Sequence, residues 1–215
     1  MNRMDPAADD DGGALRDLPD ELPAGSSILV AKPAPMDDRT LTLRLSDRYA
    51  DPADCRLVLT TAVDAERTID QHRAVVDDSA SGRLAVVDAS GGNRPSAPFQ
   101  EHPTVSLPNP SELTRIVLAL QQLESTLSRD CETIDVVVRS LSPILEETRL
   151  QHVTRVVDQL AARQRSDGGV AVFGIEYTRH DDRTMRRLAG LVDAVVWVEA
   201  TGDETDFDVQ WTRGR

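Results

Sequence analysis

The chain has 215 residues, enough for one domain with a substantial core, and its formal charge of −13 and pI near 4.7 exclude nucleic acid as a default partner. Within that charge 26 Asp outnumber 11 Glu, and 23 Arg stand against one lysine, Lys32. Short, strongly hydrated carboxylates and near-absence of lysine read as adaptation to a halophilic cytoplasm, where a Debye length of about 3 Å screens self-repulsion.

Residues 1–22 hold Asp, Ala, Gly and Pro with little to bury, including Asp9-Asp10-Asp11-Gly12-Gly13, and read as a solvated, disordered tail. A single domain over 23–215 follows, in which strands and helices alternate. The strands are expected at 27–31, 56–61, 84–88, 134–140 and 170–175, each a short Val/Ile/Leu/Ala-rich run. Helices are expected at 38–49, 64–72, 111–127, 143–147, 150–165 and 181–191. Asp64 caps the second of these and the Asp181-Asp182 pair opens the last. Residues 89–110, with Gly91-Gly92, several prolines and a short extended piece at 104–107, read as a long loop on one rim. Residues 194–199 and 207–212 close the chain as an antiparallel hairpin, across which Trp197 and Trp211 are expected to stack.

Continuous apolar strands separated by helices imply a three-layer α/β/α domain with a mostly parallel sheet. Ligands of such sheets bind beyond the carboxyl ends of the strands. No apolar run approaches the ~18 residues of a membrane span and no hydrophobic signal core opens the chain, so the sequence reads as soluble, cytoplasmic and free of membrane contact. Cys55 and Cys131 read as buried thiols rather than a disulfide, and the four histidines lack metal-ligand spacing.

The turn after the first strand, Pro33-Ala34-Pro35-Met36-Asp37-Asp38-Arg39-Thr40, has the place and length of a phosphate loop, G-x-x-x-x-G-K-[ST]. Pro33 and Asp38 stand at the glycine positions, Arg39 at the lysine, and only Thr40 keeps its hydroxyl. In a working loop, inward-turned amides form an anion nest and the lysine reaches the terminal phosphates. Pro33 and Pro35 each lack an N–H, and Asp38 sets a carboxylate where phosphate oxygens would lie. At 4 Å one such like-charge contact costs about 4 kcal/mol at an effective dielectric of 20.

The lead-in Leu-Pro-Ala-Gly-Ser-Ser, the Leu-Val-Leu-Thr-Thr strand, the Ile-Asp-Val-Val-Val-Arg-Ser-Leu-Ser-Pro-Ile-Leu and Val-Ala-Val-Phe-Gly-Ile segments and the late Asp-Ala-Val-Val-Trp-Val-Glu strand together resemble the RecA/KaiC-like ATPase fold. More narrowly, the pattern over 22–215 resembles haloarchaeal KaiC-like and RadA-related proteins, some labelled transducer-like, whose ATPase motifs have decayed. The resemblance implies three functional positions, and all three depart from the pattern. The phosphate loop is altered as described. Arg139 stands where a Mg²⁺-holding aspartate would end the fourth strand, and either pairs with Asp37 or Asp38 or faces solvent. Thr61-Ala62-Val63-Asp64 replaces the paired glutamates that polarise the attacking water.

These readings point to a non-catalytic signalling or regulatory module, a pseudo-ATPase whose sheet carries protein contacts, without metal or nucleotide. The expected partner is another protein or a homologous RecA-like subunit, with homo-oligomers among the options. The alternative is an NTPase with an unorthodox loop that uses Lys32, Arg39 and Thr40 with Mg²⁺-ATP and draws an acid from Asp88 or Glu176. Ser140-Leu141-Ser142 has the look of a nucleophile turn, with no base assigned.

Overall fold

The computed structural model describes residues 18–34, 36, 40–49, 51, 54–75, 83–92, 102–201 and 204–212. The sheet has eight strands: β1 (Ser27–Lys32), β2 (Cys55–Thr60), β3 (Leu84–Asp88), β4 (Thr104–Ser106), β5 (Ile134–Val138), β6 (Ala171–Glu176), β7 (Ala194–Thr201) and β8 (Glu204–Trp211). Their spatial order is β4-β3-β2-β5-β6-β1-β7-β8. Every pairing is parallel except β7 with β8. The expected three-layer α/β/α class holds. The central strands are buried along their length because both faces are covered, which is why they read as unbroken apolar runs rather than alternating ones.

One face carries α3 (Leu113–Leu127), α4 (Ser142–Glu147), α5 (Leu150–Asp167) and α6 (Asp182–Ala189) over Leu29, Leu57, Leu59, Val136, Val138 and Phe173. The other carries α1 (Leu41–Tyr49) and α2 (Ala65–Val75) over Ile28, Val30, Val58, Val86, Val137 and Val172. Residues two apart along a strand thus serve one layer, as the pleat requires.

Four expectations change. Leu18, assigned to the tail, is buried against the α1 side of the sheet, so packing begins before residue 23. The extended piece within 89–110 is a true edge strand, β4, held parallel to β3 at Val86–Thr104, Val87–Val105 and Asp88–Ser106. Trp197 and Trp211 do not stack. The register pairs Trp197 with Asp208 and Trp211 with Ala194, three residues apart, which sends the two indoles to opposite faces. Trp197 instead meets Tyr177 edge to face, with ring centroids 5.4 Å apart. Finally, Cys55 and Cys131 are joined in a disulfide with Cα atoms 6.0 Å apart. The end of α3 and the start of β2 lie side by side, a proximity that 76 residues of separation conceal.

The opposite rim holds a buried polar cluster. Arg56, 2% exposed, donates to Asp47 Oδ1 at 2.8 Å and lies 3.4 Å from His72 Nε2. Its strand neighbour Asp135 accepts from the Val170 amide at 2.7 Å. Burial, then the Arg56 charge, lowers His72 from its ordinary 6.5 to about 4. Burial likewise raises Asp135 from 3.8 to about 6, only partly offset by the Val170 bond. Between pH 6.5 and 4 the unfolded chain therefore holds a proton that folded His72 refuses, so this group's contribution falls as pH falls. Between pH 6 and 3.8 folded Asp135 holds a proton the unfolded chain lacks, so its contribution rises as pH falls. The two slopes oppose each other from about pH 6 to 4, each near 1.4 kcal/mol per pH unit. As pH is lowered across that window, urea midpoints should fall in Asp135→Asn, rise in His72→Gln, and change least in the parent, where the two contributions oppose each other. Equal slopes in all three would refute the assignment.

Candidate functional site

Chain direction reverses in the sheet between β2 and β5: from β1 the chain steps to β2, β3 and β4, then returns through β5 and β6 to β7. A crevice at the carboxyl ends of the strands is the expected consequence. A cavity of about 520 Å³ lies there, over the ends of β1, β2, β5 and β6 and beside the start of α1. Lys32, Met36, Thr42, Thr61, Arg139 and Glu176 are among its lining residues.

The phosphate-loop turn borders this cavity. Pro33 O accepts from Met36 N at 3.0 Å, closing a tight turn. The Ala34 amide donates to Thr178 Oγ1 at 2.9 Å, a tie to the segment after β6. Lys32 Nζ donates back to the Met36 carbonyl at 3.3 Å. Prolines contribute no donor, so both amides of the described turn, Ala34 and Met36, are engaged inside the protein. Thr40 immediately precedes α1, its carbonyl accepting from Leu43 N and Arg44 N at 2.8 and 2.9 Å. Asp37, Asp38 and Arg39 lie outside the described residues.

Arg139 is not a solvent-facing rim residue. It is 8% exposed, and its guanidinium donates to Thr68 Oγ1 and Gln71 Oε1, both at 2.7 Å, tying the end of β5 to α2. A fixed cation in the cavity wall disfavours a divalent ion at that position. Thr61 Oγ1 donates to the Ser140 carbonyl at 2.8 Å, so the ends of β2 and β5 are stitched together.

The carboxylates on this rim are also committed. Asp88 Oδ2 accepts from the Ala65 amide at 2.9 Å, and Oδ1 accepts from Ser90 N and Oγ at 2.9 and 2.7 Å. It is a bracket between β3 and α2 rather than a cavity residue. Glu176 pairs with Arg179 at 2.6 Å, and Arg179 also pairs with Glu146. Asp64 is the expected cap, accepting from the Arg67 amide at 2.8 Å. Asp181 accepts from the Thr184 amide at 2.8 Å, and the Thr184 hydroxyl, followed by that amide, lowers its carboxyl below the usual range. Among the described residues no group of three or more His, Cys, Asp or Glu side chains is placed to hold a metal ion.

A Ser–His contact was hidden in the sequence. Ser142 Oγ lies 2.8 Å from His180 Nε2 and accepts from the Glu176 amide at 3.0 Å. Burial lowers His180, which favours a neutral ring accepting the hydroxyl proton. Ser142 is fully buried, however, and among the described residues no carboxylate hydrogen-bonds His180. The contact fastens the segment after β6 to α4 and offers no reachable nucleophile. The Ser140-Leu141-Ser142 turn was its only trace in the sequence.

The profile of a family of unknown function (DUF7504) matches residues 25–198. The chain belongs to that family. The matched span runs from the turn before β1 into β7, so this DUF7504 domain includes the whole cavity rim. No curated protein matches the sequence. Among the described residues no helix is long and apolar enough to cross a membrane.

Proposed function

We propose that the chain is a non-catalytic RecA/KaiC-like domain, a pseudo-ATPase that serves a halophilic cell as a protein-interaction module in signalling or regulation. The observation that carries this reading is the internal engagement of the two described amide donors in the first half of the loop. Ala34 N is held by Thr178 and Met36 N by Pro33 O, while Lys32 is turned onto the Met36 carbonyl. A polyanion would have to break these contacts to gain its own, and Pro33 and Pro35 supply none.

The strand order supports the same reading. It brings the turn after β1 and the Arg139 turn after β5 to one rim with β6 between them, lining a single cavity. The roles found for Asp88 and Glu176 weigh against the NTPase alternative, because both acids that it would recruit are already bound to other groups. Phosphate release from Mg²⁺-ATP in molar KCl tests the catalytic half of the claim. No release above the buffer rate is expected, and turnover that persists through purification and disappears in Lys32→Ala would overturn it.

A further inference from the structure

Separate from that cavity, a groove of about 1120 Å³ runs between α5 and α6. Arg149 and Arg155 line it from the α5 side, and Arg183, Arg186 and Arg187 from α6. All five are exposed, and none forms an ion pair within 4.0 Å among the described residues. Elsewhere several exposed arginines pair, Arg83 with Asp130, Arg115 with Glu112, Arg163 with Glu124 and Arg179 with Glu146, while the exposed Arg67 and Arg129 stand singly rather than clustered. In a chain of charge −13, five unneutralised cations on one surface run against the composition.

Two of the five also stand against local stability, whereas Arg186 and Arg187 lie in the last turn of α6, where the dipole favours them. Arg149 stands at the N-cap of α5, whose first turn holds no acidic residue, so its charge faces the positive end of the helix dipole. Arg183 lies in the first turn of α6. Of the two acids lining the groove, Asp181 is held in its helix cap and feels the charge of Arg183 without forming an ion pair, and Asp158 forms no ion pair among the described residues. Half-buried Leu150 and Leu191 supply apolar ground between the charges.

We propose that this groove docks an acidic amphipathic segment of a partner protein, its carboxylates on the arginines and an apolar side chain on Leu150 and Leu191. Arginine forks suit carboxylates, and they suit an interface better than lysine because they are weakly hydrated. The apolar floor favours a polypeptide, which can set an apolar side chain on Leu150 and Leu191, over a nucleic acid, whose phosphate backbone cannot. The proposal names a surface and a partner chemistry for the interaction module argued above, and in that sense rests on it.

Fluorescence anisotropy with the full-length chain in moderate and molar KCl tests it. The probes are a labelled helical peptide of Glu and Leu at helical spacing, the same peptide with Lys for Glu, and a labelled DNA duplex. The acidic peptide should bind, and the Lys peptide and DNA should not. Arg155→Ser combined with Arg183→Ser and Arg187→Ser should weaken binding at least tenfold. The charge-matched control Arg83→Ser with Arg115→Ser and Arg163→Ser should change it less than twofold, with circular dichroism confirming both folds.

Equal loss in the two triple variants, no peptide binding, or tighter binding of DNA would each overturn the proposal. So would binding seen only after deletion of residues 1–17, since the chain's own acidic tail would then be the occupant. Mg²⁺-ATP binding by the parent that persists in the groove variant would remove the pseudo-ATPase reading and leave the peptide result standing, so the two failures are separable.

Discussion

Replacing Gly174 with valine should abolish folding, and Gly174→Ala should cost about 4 kcal/mol or more, at the extreme of single-residue effects. A Cβ at this position would lie 2.2 Å from the Arg139 carbonyl oxygen, 2.9 Å from Thr42 Cγ2 and 3.0 Å from the Arg139 carbonyl carbon. Two of these three atoms are backbone, so no rotamer change relieves the collision, unlike ordinary overpacking at ~1–3 kcal/mol. The close approach arises because the chain leaving β5 crosses β6 there, with Leu141 N donating to Gly174 O at 2.8 Å. That crossing brings Arg139 and Ser140 to the cavity wall. Gly190→Ala is the matched control: its Cβ would meet only ordinary contacts at 3.6 Å or beyond, and its φ of −70° suits any residue. Urea midpoints at one fixed salt concentration should drop sharply, or expression fail, for the first site and scarcely move for the second. A shift of less than about 1 kcal/mol in Gly174→Ala would mean that the β5–α4 turn does not pass where described.

Opening the Cys55–Cys131 disulfide should produce the second large effect. The bridge closes a loop of 76 residues spanning β2 through α3. Chain-entropy accounting assigns such a closure about 4 kcal/mol, with part of that lost if the reduced state keeps structure. Cys55 is 1% exposed, which shields the bond from thiol reductants in the native state. Alkylation of the native chain without reductant should label neither cysteine. Cys55→Ala with Cys131→Ala should lower the unfolding free energy by about 2–4 kcal/mol while far-UV circular dichroism holds. Two readily labelled thiols in freshly purified protein, with no change in stability on reduction, would contradict the pairing.

The contrast between these two sites shows what the sequence displayed. The parallel sheet was legible because strands buried on both faces carry consecutive apolar residues at their centres, as in Leu57-Val58-Leu59 and Val136-Val137-Val138. The helix caps at Asp64 and Asp181 were legible because a side chain bonding an amide three residues on is a local event. Nonlocal roles were not. The cysteine pairing and the Ser142–His180 contact depend on which strands become neighbours, and the order β2-β5-β6-β1 is not written in any local pattern.

Arg139 shows the mixed case. Its position at the end of β5 followed from the strand, and so did its unsuitability as a magnesium ligand. Its buried contact with Thr68 and Gln71 required the packing of α2 beside β5. Asp88 was singled out as an acid on the correct rim, and there only the three hydrogen bonds it accepts reveal that it is already occupied. The edge strand β4 escaped because three residues between prolines make a poor periodicity signal, and only pairing with β3 defines it.

Isothermal titration of the full-length chain with ATP and Mg²⁺ in molar KCl tests the central claim most directly. With Ala34 and Met36 amides tied internally and prolines at positions 33 and 35, the account predicts no saturable heat at millimolar nucleotide. Stoichiometric binding that disappears in Arg39→Ala would contradict it, because the loop would then be gripping phosphate.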